Sequence, residues 1–83
     1  MKLIIRPSAE KQFAKLDSDI QERIHNKLVF FLSADDPLAF AERLKDMETG
    51  QYRFRIGDWR VIFDLVKDTI FVLSVGHRRE VYK

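Results

Sequence analysis

The spacing of apolar residues changes once along this chain, at Tyr52. Before it, Ile20, Ile24, Leu28 and Phe31 recur every three to four residues, which is the spacing of one face of an α-helix. From Tyr52 onward, apolar and polar residues alternate with a period of two, as in strands that have two different faces. The chain must therefore combine helices in its first half with a sheet in its second half.

Local signals define the elements of the first half. Residues 2–6 form a short apolar run that Pro7 ends, which predicts a first strand. Ser8 is a good N-cap residue for a short helix, and Ser18 followed by Gln21 fits the capping box of a second helix. Two helices joined by a few polar residues predict a helical hairpin.

The second half supplies the rest of the sheet. Residues 38–51 are undecided between a short helix and an irregular crossover. Gly57 and Asp58 form a two-residue turn of the type that begins with glycine. The three β-rich runs are residues 52–56, 59–66 and 70–75. The order is β-α-α-β-β-β, and we expect an α+β fold with an antiparallel sheet and the helical hairpin packed on one face.

Composition limits the class of protein. The chain has 83 residues, which predicts a single domain over residues 1–83, and 46% of them are hydrophobic, enough for a core. Cysteine is absent, which excludes disulfide scaffolds, thiolate zinc sites and a cysteine nucleophile. No apolar run is long enough to span a membrane, and the N-terminus is charged too early for a signal peptide, so we expect a cytoplasmic protein.

Three arginines of the sheet half fall on one strand face. Counting outward from the predicted turn places Arg55 opposite Arg60, with Arg53 on the same face. Like charges opposed across a strand pair are destabilising, so this arrangement indicates an anionic ligand such as a phosphate chain. The alternative is that the cluster is neutralised by acidic side chains of the undecided segment, which are Glu42, Asp46 and Glu48.

A second basic cluster lies at the C-terminus. His77, Arg78, Arg79 and Tyr82 follow one another within six residues. Histidine can exchange a proton near neutral pH, tyrosine can stack on a base, and arginine can stabilise a phosphoryl transition state. The alternative is a frayed basic tail. Residues 52–83 hold seven basic and four acidic side chains, so the sheet half is the basic half.

Metal and cofactor chemistry is not expected. His25 has Val29 one helical turn later rather than a second ligand, and no carboxylate pair stands beside the basic residues. Three scattered glycines do not form a phosphate-binding loop.

The stretches 52–63 and 74–82 together resemble the RelE toxins of the RelE/ParE superfamily, and the predicted element order fits that family over almost the whole chain. The resemblance implies an endoribonuclease that cuts messenger RNA in the ribosomal decoding site without a metal. Such an enzyme acts through the ribose 2′-hydroxyl and leaves a 2′,3′-cyclic phosphate. The resemblance also implies a RelB-like antitoxin as partner, in a complex that binds its own operator DNA through the antitoxin.

The resemblance also implies roles for single residues. Arg53 and Arg55 match two basic strand residues of the family's active site, and Arg60 matches its phosphate-stabilising arginine. Arg78 matches the arginine proposed as general acid, and Tyr82 the tyrosine that stacks on the substrate. We further expect RNA contacts from a basic set that comprises Arg53, Arg55, Arg79 and Lys83.

One departure from the family changes the expected chemistry. The best-known member has lysines where this chain has Arg53 and Arg55, and an arginine side chain does not give up its proton in proteins. A general base must therefore come from elsewhere, and His77 is the predicted candidate because histidine titrates near neutral pH.

Two other functions remain open on the sequence. A ParE-like toxin would inhibit DNA gyrase and has no evident need for the clustered arginines. A non-catalytic module could bind RNA or the ribosome through the same basic face.

Overall fold

The computed structural model describes residues 1–46 and 48–81. Its elements are, in chain order, β1 (Lys2–Ile5), α1 (Pro7–Ala14), α2 (Ser18–Ser33), a 3-10 helix (Pro37–Phe40), β2 (Ala41–Arg43), β3 (Tyr52–Ile56), β4 (Trp59–Val66), β5 (Thr69–His77) and a short helix α3 (Arg78–Val81). Within the described residues, no helix is long and apolar enough to cross a membrane.

The five strands form one sheet in the order β1-β5-β4-β3-β2. β3, β4 and β5 are joined by hairpins and pair antiparallel, and β2 pairs antiparallel with β3. β1 pairs parallel with β5, so that Lys2 lies beside Thr69. The predicted α+β class is confirmed, and the predicted β-α-α-β-β-β order fits apart from three added elements: the 3-10 helix and the three-residue strand β2 in the undecided segment, and the short helix α3. The sheet is mixed rather than antiparallel throughout as predicted, because β1 pairs parallel with β5.

The helices pack on one face of the sheet, as predicted. Ile24 and Phe31 of α2 are buried with the inward side chains of β3 and β4. The Phe31 ring stacks on that of Phe54 at a centroid distance of 4.7 Å, and Phe54 stacks on Phe63 at 4.5 Å. These contacts fix the face that β3 turns toward the helices, and alternation then fixes the residues of its other face.

Both predicted helix caps are wrong. The N-cap of α1 is Arg6, with Pro7 in the first turn, and the Ser8 hydroxyl instead donates to the carbonyl of Leu73 on β5 at 3.3 Å. Proline at the first helical position needs no N–H partner, which is why α1 begins two residues earlier than Ser8 as N-cap would place it.

Gln21 does not close a capping box for α2. The N-cap of α2 is Asp17, and the Gln21 side-chain amide donates to the carbonyls of Phe13 and Leu16 at 3.0 Å each. These carbonyls lie at and just beyond the end of α1, where backbone carbonyls lack partners within the helix. Gln21 of α2 therefore supplies hydrogen bonds to the C-terminal end of α1. The hairpin is thus held by a side chain that the sequence assigned to a local role.

The sheet face turned away from the helices is called the open face here. It is covered in part by the segment between β2 and β3, beneath which Ile62 of β4 is fully buried. A Cβ on Gly50 would lie 2.5 Å from Ile62 Cγ2, so only glycine allows this approach. The Gln51 N–H donates to Asp64 Oδ1 at 2.9 Å, which ties the segment to β4.

Candidate active site

The β3–β4 hairpin positions the arginines, and its predicted register is confirmed. Gly57 has a φ of +61°, the positive value that the first residue of this turn requires. Ile56 then pairs with Trp59, and Arg55 pairs with Arg60. Since Trp59 packs against the core on the helix side, the alternation places Arg55 and Arg60 on the open face.

Glu42 of β2 enters this cluster from the neighbouring strand. It is the register partner of Arg53, and its carboxylate accepts from Arg53 Nη2 at 2.9 Å and from Arg55 Nη1 at 3.4 Å. Of the acidic residues that the sequence left open as neutralising partners, Glu42 takes that role. Asp46 instead accepts the N–H of Glu48 and belongs to a turn.

The pKa of Glu42 is lowered. The main cause is its hydrogen bond from Arg53, which burial opposes as the next largest effect; the positive charges of Arg53 and Arg55 and the hydrogen bond from Arg55 lower the pKa further. Glu42 is therefore a carboxylate at neutral pH. It lies between the guanidinium groups of Arg53 and Arg55 on the open face.

Arg60 differs from its expected placement. It is only 5% exposed, whereas the sequence predicts a solvent-facing arginine opposite Arg55. Its Nη1 donates to the carbonyls of Gly57 at 2.7 Å and of Trp59 at 2.9 Å. Gly57 lies in the turn and Trp59 directly follows it, so the Arg60 guanidinium joins the turn to the start of β4. Arg60 thus holds the turn in place.

His77 lies on the opposite side of the sheet from Arg53 and Arg55. It pairs with Trp59, and the two rings meet edge to face at 5.5 Å on the helix side. His77 is therefore turned away from Arg53 and Arg55, while Arg78 and Arg79 follow it directly in the chain. Its Nδ1 accepts the backbone N–H of Arg79 at 3.2 Å, which makes it a cap for the first turn of α3.

This hydrogen bond restricts what His77 can do. The Nδ1 lone pair is engaged by a backbone donor, so in the neutral ring the proton lies on Nε2. A ring in that state offers a donor at Nε2 and no free acceptor. For His77 to remove a proton from a substrate, the bond to the Arg79 N–H would first have to open.

The C-terminal cluster is joined to the hairpin through Asp58. The Arg78 N–H donates to the Asp58 carbonyl at 2.9 Å, and the Arg78 Nε lies 3.8 Å from the Asp58 carboxylate. Arg79 is exposed on the same short helix. Both basic segments of the sequence therefore meet at one end of the sheet. Tyr82 and Lys83, also predicted site residues, lie outside the described residues.

Asp58 was missed as an anchor, although its place in the turn was known. The signal that would find it is the β4–β5 register, which places the end of β5 beside the β3–β4 turn. Within residues 1–46 and 48–81, no group of three or more histidine, aspartate or glutamate side chains could hold a metal ion. What the arrangement offers chemically is a set of fixed positive charges and hydrogen-bond donors suited to phosphate oxygens.

A family model matches residues 3–82 of the chain, and it describes the ParE toxin of the type II toxin–antitoxin system parDE. The match spans nearly the whole domain. The chain belongs to the RelE/ParE superfamily of type II toxins. No curated protein matches it.

Solved structures of RelE toxins are similar to this toxin. The isolated Escherichia coli RelE toxin is 29% identical, with a TM-score of 0.72 over 98% of this chain and 89% of that one. The RelE of the Methanococcus jannaschii RelB–RelE complex is 20% identical, with a TM-score of 0.74 over 95% and 94%. The matching chain of the toxin–antitoxin complex RelBE2 from Mycobacterium tuberculosis is 24% identical, with a TM-score of 0.67 over 93% of this chain and 96% of that one. The likeness at 20% and 24% concerns the fold alone.

Proposed function

We propose that this toxin is a metal-independent endoribonuclease that cleaves messenger RNA on the ribosome and so inhibits translation. The observation that carries the proposal is the junction of Arg78 with the β3–β4 turn, which brings Arg55 and Arg78 to the same end of the sheet. Their side chains are 57% and 52% exposed, so both can reach a phosphate without rearrangement of the core. The similarity to the Escherichia coli RelE toxin supports the same assignment.

In the proposed reaction the ribose 2′-oxygen attacks the adjacent phosphorus. The new bond to phosphorus forms as the bond to the 5′-oxygen breaks, and the 2′ proton leaves while the 5′-oxygen gains one. Negative charge develops on the phosphoryl oxygens in the transition state. Arg53, Arg55 and Arg78 supply fixed positive charge there, and stabilisation of this kind is commonly the largest single contribution to catalysis.

We assign different roles to Arg60 and His77. Arg60 holds the turn that carries Asp58, the anchor of Arg78, and so acts as a positioning residue. His77 caps the short helix that carries Arg78 and Arg79, and it also acts through them. The stacking role of Tyr82 and the RNA contacts of Arg79 and Lys83 remain part of the proposal.

The proposed partner is a RelB-like antitoxin. The structures from Methanococcus jannaschii and Mycobacterium tuberculosis are toxin–antitoxin complexes. This toxin leaves several large apolar side chains at least 40% exposed, and a partner could cover them. They are Met1, Ile4, Val29, Phe30, Phe40 and Val66. In this proposal the antitoxin covers apolar surface and neutralises the basic end of the sheet, and the complex binds operator DNA through the antitoxin.

The test is cleavage of a translated message, mapped by primer extension in a reconstituted translation reaction. We expect cuts within codons that occupy the ribosome, and a loss of at least tenfold in rate for Arg55→Ala, since one removed transition-state contact commonly costs this much. Arg23→Ala on the surface of α2 removes the same kind of side chain away from the site and should cleave like the parent. An intact message in the presence of the parent toxin would contradict the proposal.

ParE-like inhibition of DNA gyrase is the second candidate, because the matching family model describes a ParE toxin. A gyrase supercoiling reaction with the same protein preparation separates the two. Unchanged supercoiling together with message cleavage supports the ribonuclease. Blocked supercoiling with intact message supports the gyrase inhibitor, and binding to ribosomes with neither effect indicates a non-catalytic module.

A further inference from the structure

The carboxylate of Glu42 has the contacts that a phosphate group would make at the same place. Its Oε2 accepts from Arg53 Nη2 at 2.9 Å and its Oε1 from Arg55 Nη1 at 3.4 Å. One oxygen thus faces each guanidinium. The two non-bridging oxygens of a phosphodiester present the same pair of acceptors to the same pair of donors.

Glu42 reaches this position from its own strand. The β2–β3 register sets Glu42 directly beside Arg53 on the open face, and Arg55 is the next residue along that face. The carboxylate is tethered to the edge of the sheet and cannot diffuse away. It is ionised at neutral pH like any glutamate, and the arginine contacts lower its pKa further.

The contacts are exposed enough to be exchanged. The side chains of Glu42, Arg55 and Arg53 are 42%, 57% and 27% exposed, so solvent reaches both ion pairs and reaches the pair with Arg55 most. Ion pairs at this exposure hold their partners weakly, because water solvates both charges. A nucleic acid gains in addition from the counterions that it releases when cations contact its phosphates. A strand can therefore displace Glu42, whereas a single small anion has less to gain from doing so.

We propose that Glu42 occupies a phosphate position between Arg53 and Arg55, and that RNA binds by displacing it. This inference rests on the proposed function, since it names the ligand of the same basic surface. Glu42 keeps the two guanidinium groups aligned before RNA arrives. It also favours a strand with several phosphates, which engages Arg78 at the same time, over a ligand with one phosphate.

The experiment compares the parent with Glu42→Gln. Glutamine keeps the size of the side chain and one acceptor oxygen but removes the competing charge. The probe is a fluorescent single-stranded RNA of about ten nucleotides with 2′-O-methyl riboses, which cannot be cut. We expect its affinity to rise about three- to tenfold in Glu42→Gln at low salt. The slope of log K against log salt should become steeper by about 0.7, the value for one further phosphate contact on a single strand.

Glu22→Gln on the surface of α2 is the matched control, because it removes the same charge on the helix side. Its affinity should equal that of the parent. Inorganic phosphate as competitor should displace RNA more readily from Glu42→Gln than from the parent. An unchanged or weaker affinity of Glu42→Gln for the RNA, in a sample whose circular dichroism spectrum shows the folded protein, would overturn the inference.

The cleavage assay separates this inference from the proposed function. If neither protein cuts messages but Glu42→Gln binds the RNA more tightly, the role of Glu42 stands and the ribonuclease proposal fails. If the parent cuts messages and Glu42→Gln shows no gain in affinity, the role of Glu42 falls and the ribonuclease proposal stands.

Discussion

Asp58 in the β3–β4 turn holds Arg78 at the start of α3 by two contacts. The backbone N–H of Arg78 donates to the Asp58 carbonyl at 2.9 Å, and the Arg78 Nε lies 3.8 Å from the Asp58 carboxylate. The two residues are twenty positions apart in sequence. Their contact joins the end of β5 and the β3–β4 hairpin into one surface. A change at the turn should therefore alter the position of the Arg78 side chain.

Asp58→Ala should therefore reduce cleavage while the fold stays intact. The backbone hydrogen bond remains, but the guanidinium of Arg78 loses its carboxylate anchor. We expect a three- to tenfold lower single-turnover rate and a free energy of unfolding within about 1 kcal/mol of the parent, since the pair is exposed. Asp68→Ala makes the same change in the β4–β5 turn at the other end of the sheet and should leave the rate unaltered. Equal rates for both variants would remove Asp58 from the site.

Arg60→Ala should destabilise the protein. The sequence alone predicts a small gain in stability from relief of repulsion with Arg55. In the structure, the buried guanidinium donates to the carbonyls of Gly57 and Trp59. Loss of these two hydrogen bonds should lower the free energy of unfolding by about 1–3 kcal/mol. Urea unfolding measures the difference, with Arg55→Ala as the exposed arginine for comparison. A stability equal to or above that of the parent would support the repulsion argument instead.

His77→Asn should cleave within about threefold of the parent rate. Asparagine is a good N-cap residue and can accept the Arg79 N–H that His77 now accepts. His77→Ala, which cannot, should be slower than His77→Asn because α3 loses its cap. Single-turnover rates at saturating ribosomes give both values.

A general base at His77 would produce a different pattern. Loss of a base typically slows a reaction by about 10²–10⁴-fold, and it would do so in His77→Asn and His77→Ala alike. A large and equal loss in both variants would therefore restore the catalytic role that the sequence predicts.

The contribution of Glu42 to stability should depend on pH in the acid range. Its pKa is lowered in the folded protein, so its contribution is fully present above the unfolded value of about 4.5 and is lost as the pH falls through the lower folded value. The parent should be more stable than Glu42→Gln at pH 6, and the difference should shrink toward pH 3. Urea unfolding at both values tests this. A difference that is the same at pH 6 and pH 3 would exclude the arginine contacts as its source.

Local chemistry was enough to predict the hairpin but not its surroundings. Glycine at position 57 and the alternation on either side fix the register of β3 and β4, and with it the face of Arg53 and Arg55. β2 was not predictable in the same way, because a three-residue strand has no period of its own and forms only against β3. The partner of the two arginines, Glu42, was therefore one of several candidates.

Side-chain direction within a face was also beyond the sequence. Alternation places Arg60 on the open face, yet only the geometry of the turn shows that its guanidinium folds back onto the Gly57 and Trp59 carbonyls. Likewise, the residues around Gly76 suggest the end of a strand, whereas β5 continues to His77 and so turns that ring toward Trp59. A shift of one residue in a strand moves a side chain to the other face.

The parallel pairing of β1 with β5 also has a consequence for how the toxin is made. β1 is made before β5, and Thr69, the neighbour of Lys2, follows only after sixty-six further residues. β1 therefore has no strand to pair with until β5 has been made, and contacts between such distant residues slow folding. The Asp58–Arg78 junction likewise waits for the start of α3. A growing chain that has reached only β4 therefore lacks both the partner of its first strand and the junction on which the proposed site depends.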